Sequence, residues 1–139
     1  MARINVGRVV LGGLLAGVVV NLGETVLNVV VVAQAMEEAL AARNLPAVGG
    51  TAIAGFVVEA FLLGIATVWL YTAIRPRFGA GVRTAVFAGL AVWFFSFFYS
   101  SVGWVLAGMF PAGVTTIGLL WGLPEIVLAS IAGAWLYRE

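Results

Sequence analysis

The stretch that decides the fold is Val58-Val-Glu-Ala-Phe-Leu-Leu-Gly-Ile-Ala-Thr-Val-Trp-Leu-Tyr71, because the chain carries a second version of it at residues 124–137. Each version is an apolar segment with one carboxylic acid and a Trp-Leu-Tyr ending. The pattern predicts a duplicated transmembrane helix with a duplicated acid. Aligned with Val58 on Pro124, the identical pairs are Glu59 with Glu125, Leu62 with Leu128, Ile65 with Ile131, Ala66 with Ala132, and Trp69-Leu70-Tyr71 with Trp135-Leu136-Tyr137.

The composition of the whole chain is that of a membrane protein. Of its 139 residues, 63% are hydrophobic and 9% are charged. His, Cys, Lys and Asp are absent from the sequence, which excludes imidazole or thiolate metal sites, His-ligated haem, and catalysis by Cys or His. Its 7 basic residues are too few and too scattered for a nucleic-acid surface. We therefore expect no nucleic-acid partner, no cofactor and no enzymatic activity.

Hydropathy and helix-breaking residues predict an all-α integral membrane protein, a single domain with four transmembrane helices. The run from Val9 to Ala33 is too long for the hydrophobic region of a signal peptide, so we interpret it as a retained helix. Proline and glycine predict the turns, and Pro76 predicts the end of the second span. Within 1–139, the predicted segments are a first span 6–33, an outer helix 34–43, and further spans 51–74, 82–108 and 114–137.

Arginine predicts the orientation of these spans. Six of the seven basic residues lie at the N-terminus, around the second loop and at the C-terminus. In the first loop Arg43 is offset by Glu37 and Glu38, and the third loop carries no charge. The positive-inside rule then places both termini in the cytoplasm, in a bacterial-type inner membrane. The arginines outside the first loop are Arg3, Arg8, Arg75, Arg77, Arg83 and Arg138.

The duplication and the topology together predict two parallel repeats, residues 1–77 and 78–139. Their second helices run in the same direction, so the repeats are related by a pseudo-two-fold axis along the membrane normal. The first helices of the repeats correspond in polarity only: with Asn21 aligned on Ser96, Glu24 falls on Tyr99.

Three acids lie within the predicted spans: Glu24, Glu59 and Glu125. A bare carboxylate in hydrocarbon costs several kcal/mol, so each acid must face the bundle interior, be protonated or bind a cation. Asn21 and Asn28 lie on the same side of the first helix as Glu24. Glycine and alanine share the faces of the other two acids, which predicts that both acids point into the bundle.

We expect these acids and the hydroxyl groups of the third helix to share one polar pocket in the outer half of the membrane. The competing interpretation is structural, because a protonated glutamic acid bonded across helices stabilises a bundle by about 0.6–2 kcal/mol per bond. The sequence leaves the identity of any metal open. The candidate ligand- or cation-binding residues are Glu24, Glu59, Glu125, Asn21, Asn28, Ser96, Tyr99 and Ser100.

The sequence favours binding or transport of a cation or of protons, because its intramembrane acids have no basic residue one helical turn away. Two alternatives remain open. One is a non-catalytic subunit or assembly factor that packs on a larger membrane complex through the Phe-rich third helix. The other is a binder of an apolar ligand such as a lipid or quinone. The expected partner is the lipid bilayer, with a homodimer or a larger membrane complex as possible assemblies.

Overall fold

The computed structural model describes residues 4–137, and every regular element among them is a helix. The all-helical architecture is therefore confirmed. Four stretches are long and apolar enough to cross a membrane, and we call them spans 1 to 4. A short helix, Ala33–Ala41, follows span 1. The spans are Val6–Val31, Gly50–Phe78, Val82–Leu106 and Ala112–Leu136.

Spans 1 and 3 each contain a π-helical segment. Leu27–Val31 forms the end of span 1, and Trp93–Phe98 lies in the middle of span 3. A π-helical turn accommodates an extra residue, so it rotates the faces that follow it relative to a continuous α-helix. Span 1 therefore ends at Val31 instead of the predicted residue 33, and the chain turns at Val32 into the short helix.

Span 2 extends further than the sequence predicts. We expected it to end near residue 74, whereas the helix passes through Pro76 and ends at Phe78. Proline removes only one hydrogen bond of the ladder, and the N–H of Gly79 still donates to the carbonyl of Arg75 at 2.9 Å. Gly79 has a φ of 85°, a value that glycine adopts without strain, and it ends the helix there.

Glycines set the close approach of spans 1 and 2. A Cβ added at Gly13 would collide with the backbone of Ile65, and one at Gly17 would lie 2.7 Å from the Cα of Phe61. From the opposite side, a Cβ at Gly64 would lie 2.5 Å from the backbone nitrogen of Gly17. Gly13 and Gly17, spaced as G-x-x-x-G, therefore form the contact of span 1 with span 2.

Span 4 packs against both span 1 and span 3. A Cβ at Gly12 would lie 2.6 Å from the carbonyl oxygen of Gly133, and Gly89 of span 3 is similarly crowded by span 4. The fully buried hydroxyl of Ser130 donates to the carbonyl of Ala85 at 2.7 Å. Small residues and one satisfied hydroxyl group thus build the contacts of span 4.

Two tyrosines make equivalent contacts at one end of the bundle. The hydroxyl of Tyr71, in span 2, accepts a hydrogen bond at 3.2 Å from the N–H of Gly81, which precedes span 3. The hydroxyl of Tyr137, which follows span 4, accepts one at 3.2 Å from the N–H of Asn5, which precedes span 1. The two rings meet edge to face with centroids 6.4 Å apart. Each tyrosine thus anchors the start of the other helix pair.

Large apolar side chains cover the outside of the bundle. Phe95, Leu106 and Leu120 are 69%, 83% and 69% exposed, and many other aliphatic and aromatic residues are also exposed. Such a surface is a liability in water and suits contact with lipid acyl chains.

Candidate functional site: a pair of carboxyl groups beside a cavity

Glu125 is a buried acid near the middle of span 4, with 7% of its surface exposed. Its Oε2 accepts a hydrogen bond from the indole Nε1 of Trp121 at 3.0 Å. Its Oε1 is buried and has no hydrogen-bond partner among residues 4–137. The predicted inward orientation of Glu125 is confirmed. An ionised carboxylate in this position needs a proton or a cation to neutralise it.

Gly23 of span 1 leaves the space that the Glu125 carboxyl group occupies. A Cβ at Gly23 would collide with Oε2 of Glu125 and would lie 2.6 Å from its Cδ. The carboxyl group therefore lies directly against the backbone of span 1, beside the next residue, Glu24. The contact depends on the absence of a side chain at position 23.

Glu24 supplies the second carboxyl group, and Asn28 orients it. The amide Nδ2 of Asn28 donates to Oε2 of Glu24 at 2.9 Å and to the carbonyl of Glu24 at 2.9 Å. Because Glu24 follows Gly23, whose backbone lies against the Glu125 carboxyl group, the two acids are neighbours at the contact between spans 1 and 4. We call these two acids the carboxyl pair. When both are ionised they repel each other, so a shared proton or cation stabilises the pair.

A cavity of about 260 Å³ lies beside Glu24. It is an open cavity lined by residues from the end of span 1, the short helix Ala33–Ala41, the second half of span 3 and the start of span 4. Its wall combines three polar side chains and three aromatic rings with aliphatic residues. The polar residues are Glu24, Ser101 and Thr115, and the aromatic residues are Phe97, Trp104 and Phe110.

Asn21 connects spans 1 and 2 and does not line the cavity. Its Nδ2 donates to the carbonyl of Gly17 at 2.9 Å and to the carbonyl of Val57 at 3.4 Å. The second bond crosses from span 1 to span 2. Asn21 therefore supports the helix contact one turn before the carboxyl pair.

Glu59 does not join the carboxyl pair. It is exposed on the outside of span 2, and a Cβ added at Gly55, on the same face, would meet nothing within 4 Å. The prediction that this face packs inside the bundle is wrong for the single chain. Span 2 packs instead through another face, which carries Ala60, Gly64 and Tyr71. The duplicated acids thus have different surroundings.

The hydroxyl groups predicted on span 3 also face outward. Ser96, Tyr99 and Ser100 are exposed, with Tyr99 at 71%. Phe97, within the π-helical segment, and Ser101, which follows it, line the cavity. Of the span 3 hydroxyl groups expected to share a pocket with the acids, Ser101 therefore lies beside Glu24, whereas Ser96, Tyr99 and Ser100 do not.

Two residues of the site were not predicted from the sequence. Trp121 lies four residues before Glu125, a spacing that puts both side chains on one helix face. This hydrogen-bond partner could therefore have been predicted from the sequence. The sequence does not indicate that Gly23 belongs to the site, because this depends on which helix packs against it. The aromatic lining depended in the same way on the packing of span 3.

The site is poor in ligands for a tightly held metal ion. Within residues 4–137, no group of three or more His, Cys, Asp or Glu side chains is placed to hold one. Ca²⁺ takes about 6–8 oxygen ligands, whereas the carboxyl pair and Asn28 supply few. The arrangement suits a proton or a singly charged cation better.

The four membrane-length helices and the apolar exterior are consistent with a multi-pass membrane protein. No protein-family model matches the chain, and neither a curated protein nor a solved structure is significantly similar to it. The functional argument therefore rests on the carboxyl pair and the cavity beside it.

Proposed function

We propose that this chain is a multi-pass protein of a bacterial-type inner membrane that binds a proton or a cation at the carboxyl pair and carries it across the bilayer. The observation that carries the proposal is Oε1 of Glu125, a buried carboxyl oxygen that has no hydrogen-bond partner within the described residues and lies at a helix contact beside a second acid. A structural acid would be expected to use both of its oxygens in bonds across helices.

Both forms of Glu125 have a physical basis for stability, which an exchangeable site requires. The indole N–H of Trp121 donates to Oε2 and stabilises the ionised form. Its burial and the second acid next to it penalise that same form. A proton or a cation bound by the carboxyl pair relieves both penalties. Binding and release at one site are the minimum that transport demands.

The tyrosine contacts support a duplicated architecture, with spans 1 and 2 as one repeat and spans 3 and 4 as the other. Tyr71 and Tyr137 are aligned in the two copies, and each anchors the start of the other pair. Gly13 contacts span 2, and Gly89 contacts span 4 in the corresponding way. Two parallel repeats that move against each other would expose a site between spans 1 and 4 to alternate sides.

A second candidate function is favoured by the cavity. Apolar walls with a few polar groups are typical of sites for small ligands, so the chain would be a binder of a lipid- or quinone-like molecule. In that case Glu24 would orient the ligand at the cavity wall, and Glu125 would remain a protonated structural group.

Infrared difference spectroscopy of the purified protein tests the proposed exchange at Glu125. Spectra are compared between about pH 5 and about pH 9, above the ordinary glutamate pKa of about 4.3, so that exposed carboxyl groups stay largely ionised while a buried one can change. The same comparison is made with and without monovalent cations. We expect a carboxylic-acid C=O band that changes with pH or cation and is absent from Glu125→Gln, because exchange alters the charge of this group.

Glu37→Gln is the matched control, since it removes an equal charge from an exposed residue of the short helix. It should retain the band. If no band that changes with pH or cation is lost in Glu125→Gln, the acid does not exchange and the proposal is rejected.

A further inference from the structure

The cavity beside Glu24 has one ionisable group in its wall. Among the lining residues, Glu24 is charged and no lysine, arginine or histidine is present. The hydroxyl of Thr115 is already committed as a donor to the carbonyl of Pro111 at 3.0 Å. The wall therefore presents negative charge and oxygen acceptors to whatever enters. An anionic ligand would be repelled.

The aromatic part of the wall is suited to positive charge. The rings of Trp104 and Phe110 meet edge to face, with centroids 6.4 Å apart and planes at 85°, so they form a corner. Phe97 contributes a third ring from the π-helical segment. Aromatic faces carry a negative quadrupole and attract cations, most strongly when water is excluded. A carboxylate and several rings around one space are the features of a site for an organic ammonium ion.

Asn28 holds the charge of this site in place. Its amide donates to Oε2 of Glu24 at 2.9 Å, which orients the carboxyl group. Asn28 is therefore a positioning residue for the cavity. The volume of about 260 Å³ lies just below the usual range of about 300–1,000 Å³ for pockets that take drug-sized ligands. The occupant must be small.

We propose that this cavity binds a small organic monocation with an apolar body, such as a quaternary ammonium with one aromatic or alkyl substituent. Glu24 is its counter-charge, and Trp104, Phe97 and Phe110 surround its apolar part. This inference rests on the proposed function, because Glu24 belongs to both the cavity and the carboxyl pair. A cation bound in the cavity would then lower the affinity of the carboxyl pair for a proton, and a bound proton would lower the affinity for the cation. Exchange of a proton for the cation requires this coupling.

Equilibrium dialysis of the detergent-solubilised protein tests the inference, with radiolabelled benzyltrimethylammonium as the probe and empty micelles as the blank. We expect saturable binding to the wild type. Neopentylbenzene, in which carbon replaces the ammonium nitrogen, should compete poorly because it lacks the charge. Glu24→Gln should raise the Kd about tenfold or more, as the loss of a partly desolvated ion pair would.

The aromatic wall is tested by two substitutions at one position. Trp104→Leu should raise the Kd about three- to tenfold, and Trp104→Phe should raise it less, because an aromatic face is retained. Glu37→Gln is the matched control for charge and should bind like the wild type. Thermal unfolding of every variant checks that each one is folded.

Three results would overturn the inference: no saturable binding to the wild type, equal affinity for the neutral isostere, or binding that is indifferent to Glu24→Gln. The proposed function and this inference can be rejected independently of each other. Proton exchange at Glu125 without benzyltrimethylammonium binding rejects only the organic cation. Specific binding without any exchange at Glu125 rejects the proposed function and leaves the cavity as a cation site.

Discussion

At the scale of single residues, Gly23 decides whether the Glu125 carboxyl group can lie between spans 1 and 4. The space that a Cβ would need there is filled by that carboxyl group. The sequence could predict that Glu125 points inward, because glycine and alanine share its face. It could not predict the partner at Gly23, because the position where two helices cross is not encoded in the periodicity of either one.

Gly23→Ala is predicted to displace the carboxyl group and to destabilise the protein by about 1–3 kcal/mol, as overpacking of a close contact does. Thermal unfolding in detergent measures the effect, and the infrared band of Glu125 should shift as its surroundings change. Gly55→Ala is the matched control, because nothing lies within 4 Å of an added Cβ there. It should be neutral or stabilising by up to about 1 kcal/mol. Equal effects of the two substitutions would contradict the proposed contact.

At the scale of elements, the four spans followed from hydropathy, and the departures from prediction have local causes. Pro76 did not end span 2, because one missing hydrogen bond is tolerated near a helix end and Gly79 completes the termination. In span 3, which contains a π-helical segment, Ser96, Tyr99 and Ser100 are exposed and Ser101 lines the cavity. A change from α to π register within an aromatic run has no clear sequence signal, so the sequence could not separate Ser101 from the other three hydroxyl groups.

The two tyrosine contacts give a quantitative prediction at this scale. Tyr71→Phe removes the hydrogen bond from the N–H of Gly81, Tyr137→Phe removes the one from the N–H of Asn5, and both keep the edge-to-face ring contact. Each should lower the free energy of unfolding by about 1 kcal/mol. Denaturant or thermal unfolding of the two variants under the same conditions measures both changes in the free energy of unfolding. A large effect of one and none of the other would argue against equivalent repeats.

At the scale of the whole molecule, the sequence indicated an all-helical chain with four membrane-length segments, and this is the part that hydropathy determines. The site was predicted only in part. Glu24, Asn28 and Glu125 come together, whereas Glu59 lies on the outer surface because span 2 packs through Gly64 and not through Gly55. The choice between two faces that are both rich in small residues is made by the shape of the neighbouring helices. The residue pattern of span 2 therefore does not show which of its two small-residue faces packs inside the bundle.

The measurement that tests the account most directly is proton flux into proteoliposomes that contain a trapped pH-sensitive dye, with and without an inward gradient of cations. The wild type should show flux that is lost in Glu125→Gln and in Glu24→Gln, because both variants remove an exchangeable charge from the carboxyl pair. Glu37→Gln and Glu59→Gln should match the wild type, since both residues are exposed. Full flux in folded Glu125→Gln, or no flux in the wild type under any gradient, would contradict the claim that this chain moves protons or cations through the carboxyl pair.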